Sequence, residues 1–383
     1  MFLKMQKNRH LSLYMQGFIA LVFAFLLSAC SSSGNRPKPA ELGPLLPMIS
    51  VRQVWVNAIG ASVQPLTISV HADKVFVASG NGTLAQIDVN SGADIWRLQV
   101  GSGLSAGIGS DGHLSAVISQ RNELIAVVAG KEVWRQRLSA AAYTSPLVAG
   151  QRVFVLGADR SVTAFDGNSG ARLWTQNRSG EPLVLLQPGV LLAVGDTLVA
   201  GLGGRMVGFN PNNGSVRWDV AVATPRGAND VERMVDLIGP ASRQDLEVCA
   251  RAFQVAVGCV DAQRGRLKWT QPADGRQGLH GDDRLLFGVE SDGRVIAWKR
   301  ESGQRAWVYS GLQHRNLAAP LVLGRSVAVP DGFGFIHLLS REDGTPMARL
   351  TTDGSPVHSA PAMAGDTLLV LTQNGNLFAW RPQ

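Results

Sequence analysis

The sequence of 383 residues lacks long apolar runs, runs of like charge and the motifs that bind metal ions. Its apolar N-terminal stretch, residues 17–27, has eleven residues, which is too short to span a bilayer. Lysine and arginine form no runs, which argues against a groove that follows nucleic-acid phosphates. The seven histidines form neither an H-x-H nor an H-E-x-x-H pair, and no Asp-rich calcium loop is present. These motifs therefore predict no metal site.

The net charge and the glycine content narrow the class of protein further. The formal net charge of +7 includes Lys4, Lys7 and Arg9, which lie in a segment predicted to be removed. Without these three residues the 36 basic residues fall to 33, against 29 acidic ones, which suits an ordinary solvated surface. The periodicity of amphipathic helices is scarce, whereas glycine occurs 43 times, as many tight turns require. The composition therefore favours an all-β protein.

One stretch of sequence, Val153 to Trp174, recurs along most of the chain. It contains an apolar run, a polar turn, an alternating run and a second turn that ends in Gly170, four residues before Trp174. The pair G-x-x-x-W recurs at positions 92/96, 130/134, 170/174, 214/218, 265/269 and 303/307, and a seventh copy at 344/348 ends in alanine. A period of about forty residues with four strands in each copy is typical of a β-propeller, in which each blade packs against its neighbours.

The N-terminal and C-terminal parts of the repeat region each contain an incomplete blade. Residues 51–57 alternate like a strand around Trp55, which lies 41 residues before Trp96, yet no blade precedes them. Residues 366–380 contain the two middle strands of a last repeat and no outer strand follows. We therefore predict that the N-terminal strand completes the last blade and closes the ring, which removes an exposed sheet edge. The predicted domain is an eight-bladed β-propeller of four-stranded antiparallel blades over residues 51–383.

The N-terminal residues 1–29 combine a basic start with a short apolar stretch, which is typical of a secretory signal peptide. The sequence Leu-Ser-Ala-Cys at its end resembles the bacterial lipobox. This resemblance implies that Cys30 is lipidated and becomes the mature N-terminus, and Ser31 after it implies an outer-membrane destination. Residues 30–50 are rich in Ser and Pro and are predicted to form an extended tether between the lipid and the propeller.

The two remaining cysteines, Cys249 and Cys259, lie ten residues apart on strands predicted to be neighbours in one blade. Export would permit a disulfide between them. If their hairpin matches that of the first repeat, residue 249 lies opposite residue 260, and the two sulfurs then point to opposite faces of the sheet. A disulfide and a pair of buried free cysteines therefore both remain open.

Two connections between blades depart from the repeat. After Trp174 the chain carries an apolar run at residues 183–186, where a solvated loop is usually polar. After Trp218 the repeat lengthens to 51 residues, and the additional segment mixes charged and apolar side chains. Long loops at one blade junction are where a propeller is expected to bind a ligand or a partner. The alternative is that the apolar run after Trp174 begins a strand and that the additional segment after Trp218 is a variable insertion.

The repeat A-x-D-x-x-S/T-G-x-x-x-W resembles the tryptophan-docking repeat of quinoprotein dehydrogenases, which also form eight-bladed propellers. This resemblance implies an alternative function, a periplasmic dehydrogenase that uses the propeller channel with pyrroloquinoline quinone and calcium. The chain is much shorter than members of that family, and it contains no adjacent cysteine pair. Blade packing alone explains the tryptophans.

The lipobox at Cys30, the proline-containing tether, the repeats and the long connection after Trp218 together resemble the BamB (YfgL) family, lipoproteins of the outer-membrane β-barrel assembly machinery. The resemblance implies a non-enzymatic scaffold without a cofactor, anchored by lipid at the periplasmic face of the outer membrane. The implied partner is the POTRA region of a BamA-like barrel insertase, and nascent outer-membrane proteins are further candidates. The protein is then a monomer within a hetero-complex that binds no nucleic acid.

The same resemblance implies partner-binding residues on the two long connections. Leu183 and Leu185 match the leucines of a Leu-x-Leu-Arg motif, although no arginine follows them in this sequence. The second connection carries a loop that resembles an acidic loop of the family, which points to Asp236 and, beside it, Glu232 and Arg233. We expect the leucines to supply an apolar anchor and the charged side chains at the rim to orient docking.

Overall fold

The structure, a computed structural model, describes residues 37–178, 183–225, 227–230 and 233–383. The predicted signal peptide, Cys30 and Glu232 lie outside the described residues. The chain divides into a unit at residues 1–38 and a unit at residues 39–383, and the second contains all of the described secondary structure. Within the described ranges, no helix is long and apolar enough to cross a membrane.

The described residues form 32 strands arranged as eight four-stranded sheets. Each sheet is one blade, and its strands are numbered in chain order. Blades 1 and 2 contain β2 Ser69–His71, β3 Lys74–Ala78, β4 Thr83–Asp88, β5 Asp94–Gln99, β6 Leu104–Ser110, β7 Leu114–Ser119, β8 Glu123–Val128 and β9 Lys131–Arg137. Blades 3 and 4 contain β10 Leu147–Ala149, β11 Arg152–Leu156, β12 Val162–Asp166, β13 Arg172–Gln176, β14 Leu191–Val194, β15 Thr197–Leu202, β16 Arg205–Phe209 and β17 Val216–Ala221.

The other half of the ring follows the same order. Blades 5 and 6 contain β18 Leu237–Gln244, β19 Glu247–Ala252, β20 Ala256–Asp261, β21 Arg266–Pro272, β22 His280–Gly281, β23 Leu285–Val289, β24 Val295–Lys299 and β25 Arg305–Tyr309. Blades 7 and 8 contain β26 Leu321–Leu323, β27 Ser326–Pro330, β28 Phe335–Ser340, β29 Pro346–Thr351, β30 Ala362–Ala364, β31 Thr367–Leu371, β32 Asn376–Pro382 and β1 Val51–Ala58.

Blade 8 takes its outermost strand from the N-terminal side of the chain. β1 pairs antiparallel with β32, from Val51 opposite Pro382 to Ala58 opposite Asn376. The inner strands of blades 8 and 1, β30 and β2, also lie in contact. The ring is thus closed, and the predicted eight-bladed propeller with an N-terminal closing strand is confirmed.

The alternating strand directions give the ring two distinct faces. The turns between the first and second strands and between the third and fourth strands of every blade lie on one face, which we name the turn face. The turns between the second and third strands and the connections between blades lie on the opposite face, which we name the connection face. In blade 3, Gly150 and Gly170 lie on the turn face, and Arg160 and Asn177 lie on the connection face. Both long connections therefore share one face.

The repeated tryptophans pack between consecutive blades. The Trp134 indole Nε1 of blade 2 donates to the Gly167 carbonyl of blade 3 at 2.8 Å, and its ring lies against Gly170. Each tryptophan therefore finds the neighbouring sheet that its own short strand cannot provide. The same bond, at 2.7–3.0 Å, joins Trp55 to Val89, Trp174 to Pro211, Trp269 to Arg300 and Trp307 to Arg341.

The two cysteines of blade 5 lie directly opposite each other. Cys249 on β19 pairs with Cys259 on β20, and a disulfide joins them. The predicted register, with residue 249 opposite residue 260, was wrong. Ala252 pairs with Ala256 across a turn of three residues, 253–255, and this turn shifts the register by one residue from the one assumed.

Part of the predicted tether is packed on the propeller. The backbone N–H groups of Ala40 and Met48 each donate to a carbonyl of the propeller, at 2.9 and 2.7 Å. The Leu42 side chain contacts the hydrophobic core between blades 6 and 7. Residues 39–50, which we name the strap, are therefore part of the folded unit rather than a spacer over the full length of residues 30–50.

Buried polar groups join blades 5, 6 and 7. Arg251 of β19 is fully buried, its Nη1 lies 3.0 Å from Glu290 Oε1 in blade 6, and its guanidinium lies over the Trp298 ring. His280 of β22 accepts a hydrogen bond at Nδ1 from the Val322 N–H of blade 7 at 3.2 Å. Burial lowers the pKa of His280 to about 4, so the ring is a neutral acceptor at physiological pH.

Candidate partner-binding site

The first long connection reaches blade 4 across the connection face, and its described parts are residues 177–178 and 183–190. The Gly189 N–H donates to Thr144 Oγ1 of the preceding connection at 2.9 Å. The Pro188 carbonyl accepts the Gly239 N–H from the start of blade 5, also at 2.9 Å. These bonds place the first long connection directly beside the end of the second one.

The second long connection ends in Asp236, immediately before β18. The Asp236 carboxylate points toward the first connection, where Oδ2 accepts the Leu185 N–H at 2.9 Å. Oδ1 lies 3.4 Å from the Arg160 guanidinium, and only 16% of the Asp236 side chain is exposed. Asp236 was predicted to orient docking at the rim, but both of its oxygens bind groups within the protein. It holds the first connection in place.

Arg160 is the residue that sequence reasoning missed as part of the site. It lies at the connection face in the turn between β11 and β12, with φ +62°. Its guanidinium, in a side chain only 11% exposed, pairs with Asp236 and donates to the Leu183 carbonyl at 3.2 Å. One arginine of blade 3 therefore contacts both long connections. The sequence signal was weak, because a charged residue at a turn usually faces water.

The leucines of the first connection form an apolar surface beside this ion pair. Leu183 is 41% exposed and Leu186 is 72% exposed. Leu185 is half-buried and lines a small cavity of about 60 Å³ together with Asp236. The structure thus brings together Leu183, Leu185 and Asp236, three of the residues that the resemblance marks as partner-binding. It adds Leu186, which the apolar run in the sequence already contained.

Arg233 lies in the same connection as Asp236, three residues earlier in the chain. It is half-buried and forms an ion pair with Asp230. Its backbone N–H donates to the Asn229 carbonyl at 3.1 Å, which closes a turn within the connection. Arg233 therefore contributes to the shape of this loop, and Glu232 beside it lies outside the described residues.

Comparison with known proteins assigns this propeller to a family. A sequence profile described as "Outer membrane protein assembly factor BamB" matches residues 80–309. The chain belongs to the BamB family. It is 37% identical to the family member of Burkholderia pseudomallei over 371 residues, which cover 95% of this chain and 96% of that protein. It is 34% identical to the member of Bordetella pertussis over 380 residues, which cover 97% and 98%.

Solved structures share the fold at lower identity. BamB from Moraxella catarrhalis superposes with a TM-score of 0.79 and 22% identity, covering 87% of this chain and all of that one. The quinohemoprotein alcohol dehydrogenase of Comamonas testosteroni superposes with a TM-score of 0.67 and 13% identity, covering 86% of this chain and 76% of that one. At these identities both likenesses are of fold alone.

The axial channel does not fit the quinone and calcium of the dehydrogenase alternative. A cavity of about 540 Å³ opens on the ring axis and is lined by neutral residues such as Thr144, Gln187 and Pro240. Among its described lining residues the one ionisable side chain is His358, whose pKa is lowered by burial. Calcium sites are usually built on carboxylates, and this lining provides none among those residues. The channel of this BamB family member therefore does not support the dehydrogenase function.

Proposed function

We propose that this chain is a non-enzymatic scaffold of outer-membrane protein assembly that binds the POTRA region of a BamA-like barrel insertase. A lipid on Cys30 anchors it at the periplasmic face of the outer membrane, where it works as a monomer within a hetero-complex. Nascent outer-membrane proteins are further proposed partners. The relatives named outer membrane protein assembly factor support this role. The observation that carries the site is the contact of Asp236 with both Leu185 and Arg160.

The physical argument for the site is a pre-organised apolar anchor. Leu183 and Leu186 present apolar surface to solvent, and the removal of such surface from water is worth about 25 cal/mol per Å². A loop that is already ordered loses less conformational entropy on binding than a loop that must be fixed by the partner. The Asp236 carboxylate and the Arg160 guanidinium fix the backbone of the first connection before any partner arrives. This arrangement suits a docking surface better than a catalytic site.

The test is a binding titration of the purified chain with a purified POTRA fragment of the BamA-like partner. The double variant Leu183→Ala, Leu186→Ala should bind at least about ten-fold more weakly, since a ten-fold change corresponds to about 1.4 kcal/mol and apolar anchors exceed this when truncated.

The matched control is the double variant Val133→Ala, Leu173→Ala. These side chains are 50% and 45% exposed, on the outermost strands of blades 2 and 3, and so remove similar exposed surface elsewhere. Binding by the control should equal that of the unmodified chain. If the folded Leu183→Ala, Leu186→Ala double variant binds as tightly as the unmodified chain, the assignment of this site is wrong.

A further inference from the structure

One position of the repeat connects many of the blades to the blade before them. This position, which we name the bridging position, directly follows the last residue of the G-x-x-x-W motif. In blade 1, Arg97 donates to the Ala58 carbonyl of blade 8 at 2.9 Å, and in blade 2, Arg135 donates to the Val100 carbonyl at the end of blade 1 at 3.4 Å. Blades 4 and 5 are bridged from the same position, at 2.5 and 3.1 Å, by the pairs Asp219–Arg178 and Thr270–Val222.

Blade 7 uses the bridging position to bind the strap. Its bridging residue is Arg349, which donates to the Gly43 carbonyl at 3.4 Å. The neighbouring Leu42 side chain contacts the core between blades 6 and 7, and the Ala40 carbonyl accepts from Arg315 Nη1 at 3.0 Å. The outer groove between blades 6 and 7 is therefore occupied by a peptide segment that has no secondary structure of its own.

Blade 3 has no bridge of this kind. Its bridging residue is Thr175, whose Oγ1 lies 3.1 Å from Thr163 Oγ1 on the neighbouring strand of the same blade. A groove of about 770 Å³ remains between blades 2 and 3, and we name it the open groove. Gln136 of blade 2 and Phe165 of blade 3 are among the residues that line it. Valine at the bridging position of blades 6 and 8 likewise cannot form a hydrogen bond.

The open groove corresponds by register to the groove that holds the strap. In blade 3, Phe165 lies opposite Arg172, just as Leu339 lies opposite Pro346 in blade 7. Leu339 belongs to the core that Leu42 of the strap contacts. The open groove therefore has an aromatic side chain at the position equivalent to a member of the core that binds the strap.

Two arginines determine the charge of the open groove. Arg137 ends β9 and Arg172 begins β13, and both side chains are exposed. Neither side chain forms an ion pair or a hydrogen bond with any residue that the structure describes. Asp159 also lines the groove, and its Oδ1 accepts the Ser161 N–H at 3.0 Å. Because the guanidinium groups outnumber this carboxylate, the groove favours an acidic occupant over a basic one.

We propose that the open groove binds an extended acidic segment of a partner protein, in the way that the groove between blades 6 and 7 binds the strap. An apolar side chain of the segment packs beside Phe165, and its carboxylates pair with Arg137 and Arg172. This surface lies on the outer wall of the ring and is separate from the apolar surface of Leu183 and Leu186. The proposal therefore goes beyond POTRA binding and does not depend on it.

The experiment uses a synthetic peptide with the strap sequence PAELGPLLPMIS, because the strap shows that such a segment fits a groove between two blades. The peptide carries an uncharged fluorophore at its N-terminus and an amide at its C-terminus, so its glutamate is the only charged group. A second peptide contains lysine in place of this glutamate. Binding of each peptide to the purified chain, whose own strap occupies the groove between blades 6 and 7, is measured by fluorescence anisotropy.

The unmodified chain should bind the glutamate peptide about ten-fold more tightly than the lysine peptide. The double variant Arg137→Glu, Arg172→Glu should reverse this preference, because it repels the glutamate peptide and attracts the lysine peptide. The matched control Arg121→Glu, Arg305→Glu changes the net charge equally at two other exposed arginines. Arg305 has the same place in the repeat of blade 6 as Arg172 in that of blade 3, and the control should keep the original preference.

Three results would overturn the proposal. The first is absent binding, or equal binding of the two peptides by the unmodified chain. The second is an unchanged preference in the folded Arg137→Glu, Arg172→Glu variant. The third is a reversed preference in the control variant as well, which would assign the effect to net charge rather than to the groove. No POTRA fragment is present in this experiment, so its failure is distinct from failure of the proposed function.

Discussion

Replacement of Gly170 by alanine separates two reasons for the glycine in the G-x-x-x-W repeat. Gly170 has φ +71°, and Gly150, in the same blade and on the same face, has φ +57°. A Cβ atom at Gly150 would meet nothing within 4 Å, whereas one at Gly170 would lie 2.7 Å from Cδ2 of Trp134. Left-handed backbone costs a residue with a Cβ about 1–2 kcal/mol, so Gly150→Ala measures that strain alone.

Gly170→Ala adds a steric clash with the tryptophan of the preceding blade. Overpacking of this kind typically costs about 1–3 kcal/mol, so the expected total is about 2–5 kcal/mol against about 1–2 kcal/mol for Gly150→Ala. The measurement is the free energy of unfolding from equilibrium urea denaturation under non-reducing conditions. If the two variants lose the same stability, the contact between Gly170 and Trp134 is not the reason for the spacing, and only the turn conformation requires glycine.

Three further predictions concern the site, the pH dependence and the disulfide. Arg160→Ala and Asp236→Ala should each weaken POTRA binding about ten-fold. The double variant should bind no more weakly than the single variant with the lower affinity, because both side chains hold the same loop. Additive losses in the titration would instead indicate that Asp236 contacts the partner independently. Below pH 6.5 and down to about pH 4 the free energy of unfolding should fall, because burial holds the pKa of His280 at about 4 and the unfolded chain binds the additional proton. His280→Asn keeps a neutral acceptor and should flatten part of that slope in urea denaturation at each pH; an unchanged slope contradicts the assignment. Replacement of Cys249 and Cys259 by alanine should cost about 2–3 kcal/mol, since the disulfide closes a loop of ten residues, and a loss under about 1 kcal/mol would contradict this.

The fold could be predicted because the repeat encodes contacts as well as spacing. A turn glycine and a tryptophan four residues later define the outer hairpin of a blade, and the tryptophan needs a neighbouring sheet. The contact of Trp134 with Gly170 shows that one copy of the motif packs on the next. Closure of the ring by β1 was predicted because residues 51–57 alternate like a strand and Trp55 lies one repeat before Trp96, and the pairing of β1 with β32 confirms it.

The strand register at the two cysteines and the docking of the strap were harder to predict, because both depend on contacts that the repeat pattern does not contain. The register of Cys249 against Cys259 is set by the length of one turn, and a change of one residue there reverses the faces of all later side chains. The strap is the second half of a stretch, residues 30–50, whose composition as a whole is typical of a Ser- and Pro-rich spacer. Its docking depends on Arg315, which binds the Ala40 carbonyl from 275 residues further along the chain.

The role of Asp236 was also beyond the sequence. The resemblance to the BamB family identified its position. The sequence of the loop is the same whether the Asp236 carboxylate faces solvent or faces the protein, so the sequence does not predict its direction. Its partner Arg160 lies 76 residues earlier, on another blade. Only the closed ring brings the two side chains together at 3.4 Å.

Arg160 also explains how the site accommodates the absence of an arginine after the leucines of the first connection. The resemblance implies an arginine where this sequence has Leu186. Here a guanidinium reaches the Leu183 carbonyl from the turn of blade 3 instead, so a cation is present at the first connection although it comes from a different blade. Leu186 is then free to extend the apolar surface, with 72% of its area exposed. Because the guanidinium is only 11% exposed, its charge is used mainly to order the loop, and the apolar side chains are left to make the contact.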